Sequence, residues 1–295
     1  MTSIRKLIHG QTRDIGFPIR RLLPDAEVRR IGPFVFFDHM GPALFEAGTH
    51  VGDVWPHPHI GLATVTYLFS GAMMHRDSLG SVQRIVPGDI NWMTAGRGIV
   101  HSERMPEDIR EQQIAIQGLQ MWVALPASDE DIAPVFHHYP AKVLPMVDQD
   151  GVRLHVLAGQ AYGQISPVAC HSPTLYVAGW ISEGRSLLIS SETANYPERG
   201  VYIVEGSVLL DGEPIPAGTL IVLEQGQNAT LLATADTTLM LLGGAALESP
   251  PALWWNFVAS SKEKIDAAKI AWTNQDATIF PPVPGESEWI PLPER

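Results

Sequence analysis

Turn-forming residues cut this chain into pieces too short for most helices. Its 26 glycines and 24 prolines recur at short intervals, and the runs between them are rich in Val, Ile, Leu, Thr and Tyr. This is the pattern of many β-strands joined by tight turns. Strands are predicted over 62–69, closed by Ser70-Gly71, over 81–86, closed by Pro87-Gly88-Asp89, over 90–93, ahead of Gly96-Arg97-Gly98, and over 113–125, stopped by Pro126. A second set follows the Asp129-Glu130-Asp131 turn and a linker from Pro134 to Pro140. Its strands are predicted over 153–158, 174–180, 186–190, 200–210, 219–223 and 229–242. Each set suffices to close one antiparallel barrel. Because 295 residues exceed the usual size of one domain, the reading is all-β, with two barrels in tandem over 1–133 and 134–295. Val86-Pro87-Gly88-Asp89 and Ile215-Pro216-Ala217-Gly218 each place a Pro and Gly turn before an apolar strand, a hint of internal duplication.

One helix is predicted near the end. Ser260 is placed to cap it, with Glu263 at its third position. Ile265, Ala268 and Trp272 then share the face that packs on a barrel. The tail from Pro281 has five prolines and no periodicity, so an extended strap or a loose end is expected.

Composition narrows the function. Thirty-two acidic against 20 basic side chains give a formal charge of -12, which repels a phosphate backbone. The pairs Arg20-Arg21 and Arg29-Arg30 are too short to reverse that, so no direct nucleic-acid binding is expected. Cys170 is the single cysteine, which rules out an internal disulfide framework. The first residues carry Arg5, Lys6, His9, Arg13 and Asp14 instead of an apolar run, and no apolar stretch reaches membrane-spanning length. A cytoplasmic monomer without membrane contact is the expectation.

Two short motifs carry the chemistry. His57-Pro58-His59 places imidazoles at positions i and i+2, on one face if the backbone is extended. His101-Ser102-Glu103 repeats the arrangement with an imidazole and a carboxylate. Brought together on adjacent strands, the two pairs supply four ligands to one point inside a barrel. A single His-x-His in a β-rich chain is ordinarily surface or satisfied core, whereas two such pairs beside Gly and Pro turns point to a metal. Mixed imidazole and carboxylate ligation suits iron, manganese, nickel, copper or zinc. The other eight histidines lack a same-face partner of this kind.

The stretches Ile31-Gly32-Pro33-Phe34-Val35-Phe36-Phe37-Asp38-His39-Met40-Gly41-Pro42, His57-Pro58-His59, His75-Arg76-Asp77-Ser78-Leu79-Gly80, Asn91 through Glu103, and Trp254-Trp255-Asn256-Phe257-Val258 closely resemble the pirin family. The resemblance spans most of the chain and is strongest over 31–125. It implies two cupin-type (jelly-roll) barrels, a metal-binding one over 1–133 and a second over 134–295 that includes the C-terminal helix and Pro-rich tail. It also implies one Fe(II), with His57, His59, His101 and Glu103 as metal ligands. Two positions depart from the general cupin pattern: Ala63 stands where a Glu is usual, and Met105 where an Asn is usual. Glu103 is therefore the one acidic ligand in reach, and it is also the expected catalytic base. No His-x-His occurs in the second half, so that barrel is expected to be metal-free.

His75-Arg76-Asp77-Ser78 is expected to form a hydrogen-bonded turn. Gly96 and Gly98 are expected to supply unusual backbone angles. Trp92 and Phe34 to Phe37 are pocket or core candidates, and Arg97 is either a substrate contact or a solvated side chain. The resemblance implies a quercetin 2,3-dioxygenase-like enzyme that opens the central ring of a flavonol with O2 and releases carbon monoxide. The alternative is a non-enzymatic, iron-dependent regulator that binds a protein partner. The pirin-like stretches argue against a third reading, a non-oxidative cupin.

Overall fold

The computed structural model describes residues 2–191 and 195–294. Strands dominate, and two barrels of the jelly-roll type are built from the same parts. In the first, a seven-stranded sheet runs in the order Val135–Tyr139, Ile90–Thr94, Leu62–Ser70, Ile116–Ala124, Phe34–Ala43, Pro18–Leu23, Gln11–Asp14. A four-stranded sheet completes it, in the order Val54–His59, Ile99–Arg104, Met73–Asp77, Val82–Ile85. In the second barrel the seven strands are Ile4–Ile8, Leu220–Leu223, Glu198–Glu205, Thr237–Gly244, Thr174–Ile181, Val152–Ala158 and Met146–Gln149. The four are Ser186–Ile189, Ala229–Ala233, Ser207–Leu210 and Glu213–Pro216. The repeated strand order gives the hinted duplication a structural basis.

Two predicted strands are each broken in two. The run 200–210 divides at Gly206, whose φ is 78° and where an added Cβ would lie 2.2 Å from the carbonyl oxygen of Asp236. The run 229–242 divides at 234–236, the corner that packs against Gly206, giving Ala229–Ala233 and Thr237–Gly244. At both corners the chain passes from one sheet of the barrel to the other, and the polar residues Glu205-Gly206-Ser207 and Thr234-Ala235-Asp236 that mark them are turn signals that reading each apolar run as one strand passed over.

The single cut between 133 and 134 is not where the compact units part. One unit comprises 1–11, 21–36 and 142–247, and the other 12–20, 37–141 and 248–295. The C-terminal helix and tail therefore belong with the first barrel, not the second. Apolar contact is the reason. Ile265, Ala268 and Trp272 of the helix Lys262–Thr273 bury against Ile60, Val100, Phe257, Phe280 and Val283. The helix also starts one residue later than predicted. Ser261 caps it by accepting from the Lys264 amide at 3.4 Å, while the Ser260 hydroxyl donates to Glu130 at 2.6 Å. The tail is a strap: the Ile290 amide donates to Pro56 at 2.9 Å, and the Trp272 indole donates to the Ile290 carbonyl at 2.9 Å. Among the described residues no helix is long and apolar enough to cross a membrane.

Candidate metal centre

The histidine-bearing strands are neighbours in the four-stranded sheet. Val54–His59 lies at its edge, which is where prolines that cannot donate to a ladder are tolerated. His101 pairs with His57, Val100 with Pro58 and Ile99 with His59, and the register then shifts so that Glu103 pairs with Val54. Strand alternation sends His57, His59 and His101 to one side. The turn before Ile99 depends on glycine. Gly96 has φ 52°, and a Cβ there would meet the Ile132 carbonyl oxygen at 2.1 Å, so that neither the angle nor the space admits a side chain.

The three imidazoles meet. Their ring centroids are 4.4 Å (His57–His101), 5.0 Å (His57–His59) and 5.0 Å (His59–His101) apart, and one nitrogen from each lies within 4.8 Å of the others. Hydrogen bonds fix the tautomers. The Nδ1 of His57 faces the Trp55 carbonyl at 2.8 Å, and that of His59 faces the Asn256 carbonyl at 3.0 Å. A carbonyl only accepts, so both Nδ1 atoms carry hydrogen and both Nε2 lone pairs turn inward. The Nε2 atoms of His59 and His101 approach to 3.1 Å. Burial lowers the His57 pKa to about 4 and those of His59 and His101 well below their ordinary value, which keeps the imidazoles neutral, as metal ligands must be. Supporting carbonyls of this kind are the usual second layer of a histidine metal site. The buried triad thus fits a single transition-metal ion.

Glu103 takes a place beside the triad, outside the group of three whose ligand atoms lie mutually within 4.8 Å. It is buried, and desolvation raises its pKa above the ordinary carboxylate range. The Thr66 hydroxyl donates to its Oε1 at 3.3 Å, and the Gln120 amide donates to the same oxygen at 3.3 Å. Of the four expected ligands, His59 and His101 are sealed, while His57 and Glu103 each keep 7% of their surface exposed.

Sequence reading missed several neighbours. His75 pairs across the ladder with Glu103, lies 5.3 Å from the His101 ring, and stacks on Phe136 at 4.2 Å. Its Nε2 contacts Asp77 at 3.0 Å, so the view that the other eight histidines lack a same-face partner fails here. The signal was present as His75-x-Asp77 at the same i, i+2 spacing. Asp77 also holds the expected turn, its Oδ1 accepting from the amides of Leu79 and Ser81 at 2.9 and 3.0 Å. Trp122 meets the His59 ring edge-on at 5.3 Å. Arg97 is exposed and lines a small cavity with Glu130 and Lys264, away from the imidazoles. Met105 and the Phe34–Phe37 run are core, and Ala63 is buried with no ligating atom.

Comparison with known proteins gives the chain a family. The pirin family model matches residues 16–123, and the model of the pirin C-terminal cupin domain matches residues 181–278. A pirin-like protein of Caulobacter vibrioides is 43% identical over 97% of this chain and 98% of its own. A Pseudomonas aeruginosa protein provisionally named a quercetin 2,3-dioxygenase is 39% identical over 89% of this chain and 81% of its own. A crystal structure titled quercetin 2,3-dioxygenase, from Acinetobacter baumannii, superposes with a TM-score of 0.89 at 35% identity, covering 98% of this chain and 95% of that one.

Proposed function

Because the chain belongs to the pirin family, we propose that it is a metal-dependent dioxygenase that opens the central ring of a flavonol with O2 and releases carbon monoxide. The observation that carries this reading is the pairing of an inward-facing imidazole triad with one buried, proton-hungry carboxyl group. His57, His59 and His101 would hold the ion, with Glu103 as the fourth ligand and Fe(II) as the metal. A divalent transition metal supplies Lewis-acid and redox chemistry that no side chain provides, and three or four protein ligands leave coordination positions for substrate.

The protein's own groups then divide the work. Glu103, its pKa raised by burial, takes the proton of the flavonol hydroxyl as general base. Thr66 and Gln120 orient its Oε1, so the acceptor is positioned before substrate arrives. Trp122 and Phe136, packed on His59 and His75, give the site apolar walls that exclude water from an electron-rich ring. The relatives named for quercetin dioxygenation support the substrate class.

The test is metal analysis of protein purified without oxygen, followed by O2 uptake and carbon monoxide release with a panel of flavonols. Uptake matched by released carbon monoxide is the expected result. An iron-loaded sample that consumes no oxygen with any flavonol overturns the proposal.

A further inference from the structure

The second barrel, which carries no His-x-His, holds a cavity of about 600 Å³. Its wall includes Leu154, Leu175, Leu187, Ile189 and Leu241, all of which also belong to that barrel's apolar core. A volume of this size suits a small organic ligand. Arg199 breaks the apolar lining. It sits on the same strand face as Val201 and Ile203, which are core residues of the barrel interior. Opposite it in the ladder stands Gly243, where a Cβ would come within 3.2 Å of the Arg199 Cγ, so glycine leaves room for the long side chain.

Arg199 is 2% exposed, and its guanidinium has no carboxylate among its contacts with the described residues. Nη1 donates to the Ser190 carbonyl at 2.7 Å, and Nη2 donates to the carbonyls of Glu224 and Gln227 at 3.3 and 2.9 Å. Five N–H donors thus meet three acceptors. A buried cation without an anionic partner is costly. Here it lines a cavity, and a ligand can complete it. Tyr162 and Arg185 also line the cavity. The Tyr162 hydroxyl donates to the Leu188 carbonyl at 3.3 Å, and Arg185 is exposed, adding a second positive charge at the entrance. Against the one carboxylate among the described lining residues, Asp150, the two arginines leave a net positive charge on the cavity of a chain whose formal charge is -12.

We propose that the second barrel is a binding site for an amphipathic monocarboxylate, whose apolar body fills the leucine-lined cavity and whose carboxylate takes the unused donors of Arg199. Nε–H and one hydrogen of Nη1 remain for it, and a hydrogen bond from a guanidinium to a carboxylate is charge-assisted. This inference is independent of the dioxygenase reading, since no lining residue belongs to the imidazole centre.

Octanoate, with 1-octanol as its neutral counterpart, is titrated into the full-length protein by calorimetry. Octanoate is expected to bind once per chain, about 10-fold or more tighter than 1-octanol, because a charge-assisted hydrogen bond is worth that much. Arg199→Lys, which keeps the charge but has only three donors for the three carbonyls and none to spare, should weaken octanoate about 10-fold. Leu188→Glu places a negative charge at an exposed cavity residue, where it cannot disturb the core, and should also weaken octanoate. Hence the second variant decides the matter if the first fails to fold. His101→Ala must leave octanoate affinity unchanged. Equal binding of octanoate and 1-octanol, no binding at millimolar concentration, or affinity lost in His101→Ala and kept in Leu188→Glu would each overturn the proposal.

Discussion

The two barrels share a strand order and differ in what they point inward. In the first, the outer pair of the four-stranded sheet carries His57 and His59 opposite His101 and Ile99. In the second, the same pair carries Leu187 and Ile189 opposite Leu231 and Ala229. Leu187, Ile189, Ala229 and Leu231 are all buried in one apolar cluster. The scaffold therefore does not demand a metal. One barrel closes on a leucine core, and the other has exchanged that packing for three buried imidazoles. Burial disfavours their charged forms strongly enough to hold His57 at a pKa of about 4. The same two strand positions thus hold apolar packing in the second barrel and a buried imidazole cluster in the first.

The largest effect should come from deleting an inward imidazole. His101→Ala removes a nitrogen that lies 3.1 Å from its neighbour's, and should lower metal affinity by more than the 100-fold or so that a lost supporting contact costs. Metal analysis of the purified, folded variant checks this. Stoichiometric metal in His101→Ala would show that the triad is not the site. Glu103→Ala should likewise abolish bound metal with the protein still folded, and metal retained there would reduce Glu103 to a base.

At the corresponding place in the second barrel the loss is purely one of packing. Leu231 is fully buried, and Leu231→Ala should destabilise the protein by roughly 2 to 5 kcal/mol. His101→Leu in metal-free protein should do the opposite. It removes a buried Nδ1 that has no hydrogen-bond partner, and replacing such a group with an apolar one of similar shape is neutral or stabilising. Denaturant melts of the two variants without metal test the contrast, which fails if His101→Leu costs as much as Leu231→Ala.

Much of this was legible in the sequence, and the reasons are physical. The i, i+2 spacing of His57 with His59 and of His101 with Glu103 encodes direction directly, since alternation along a strand is nearly rigid. Turn residues likewise announce most strand ends. Partners distant in sequence were not legible. The Asn256 carbonyl that orients His59 lies 197 residues away, and a backbone acceptor has no residue signature. Gly206 and Asp236 each sit in a short polar interruption between two apolar stretches, and an interruption of two or three residues does not by itself tell a sheet-to-sheet corner from an exposed position within one strand. The exchange of terminal segments between the compact units was hidden for a similar reason: Ile265 and Trp272 reveal an apolar face, not which barrel it meets. Arg199 shows the limit most clearly, because its significance lies in what does not surround it.

Acid should also distinguish the barrels. In metal-free protein, burial depresses the folded-state pKa of His57 to about 4 from 6.5, so between those values the unfolded chain binds more protons than the folded one. Stability therefore falls as pH drops from 6.5 toward 4, by about 3 kcal/mol at most from His57. Glu103 acts with opposite sign: its raised pKa means that the folded state holds more protons above 4.5, so its contribution is lost as pH rises. Leu187, Ile189 and Leu231 have nothing to titrate. Hydrogen exchange at pH 7 and pH 5 should show protection lost over 54–104 ahead of 186–233, whereas equal loss in both would break the contrast.

The smallest effect tests where the C-terminal helix belongs. Ser261 accepts from the Lys264 amide, and Ser261→Ala should cost about 1 kcal/mol through an unsatisfied helix start. The location of the loss is more telling than its size. Trp272 and Ile265 pack with Ile60 and Val100, which flank the strands bearing the imidazoles, and Asn256, just before the strand Phe257–Ala259, holds His59. Loosening the helix should therefore raise hydrogen exchange near residues 57–60 and 99–101, and leave 186–233 unchanged. If exchange rises in the second barrel instead, the helix serves the half of the molecule that needs no metal, and the assignment of the segment 248–295 to the imidazole-bearing unit fails.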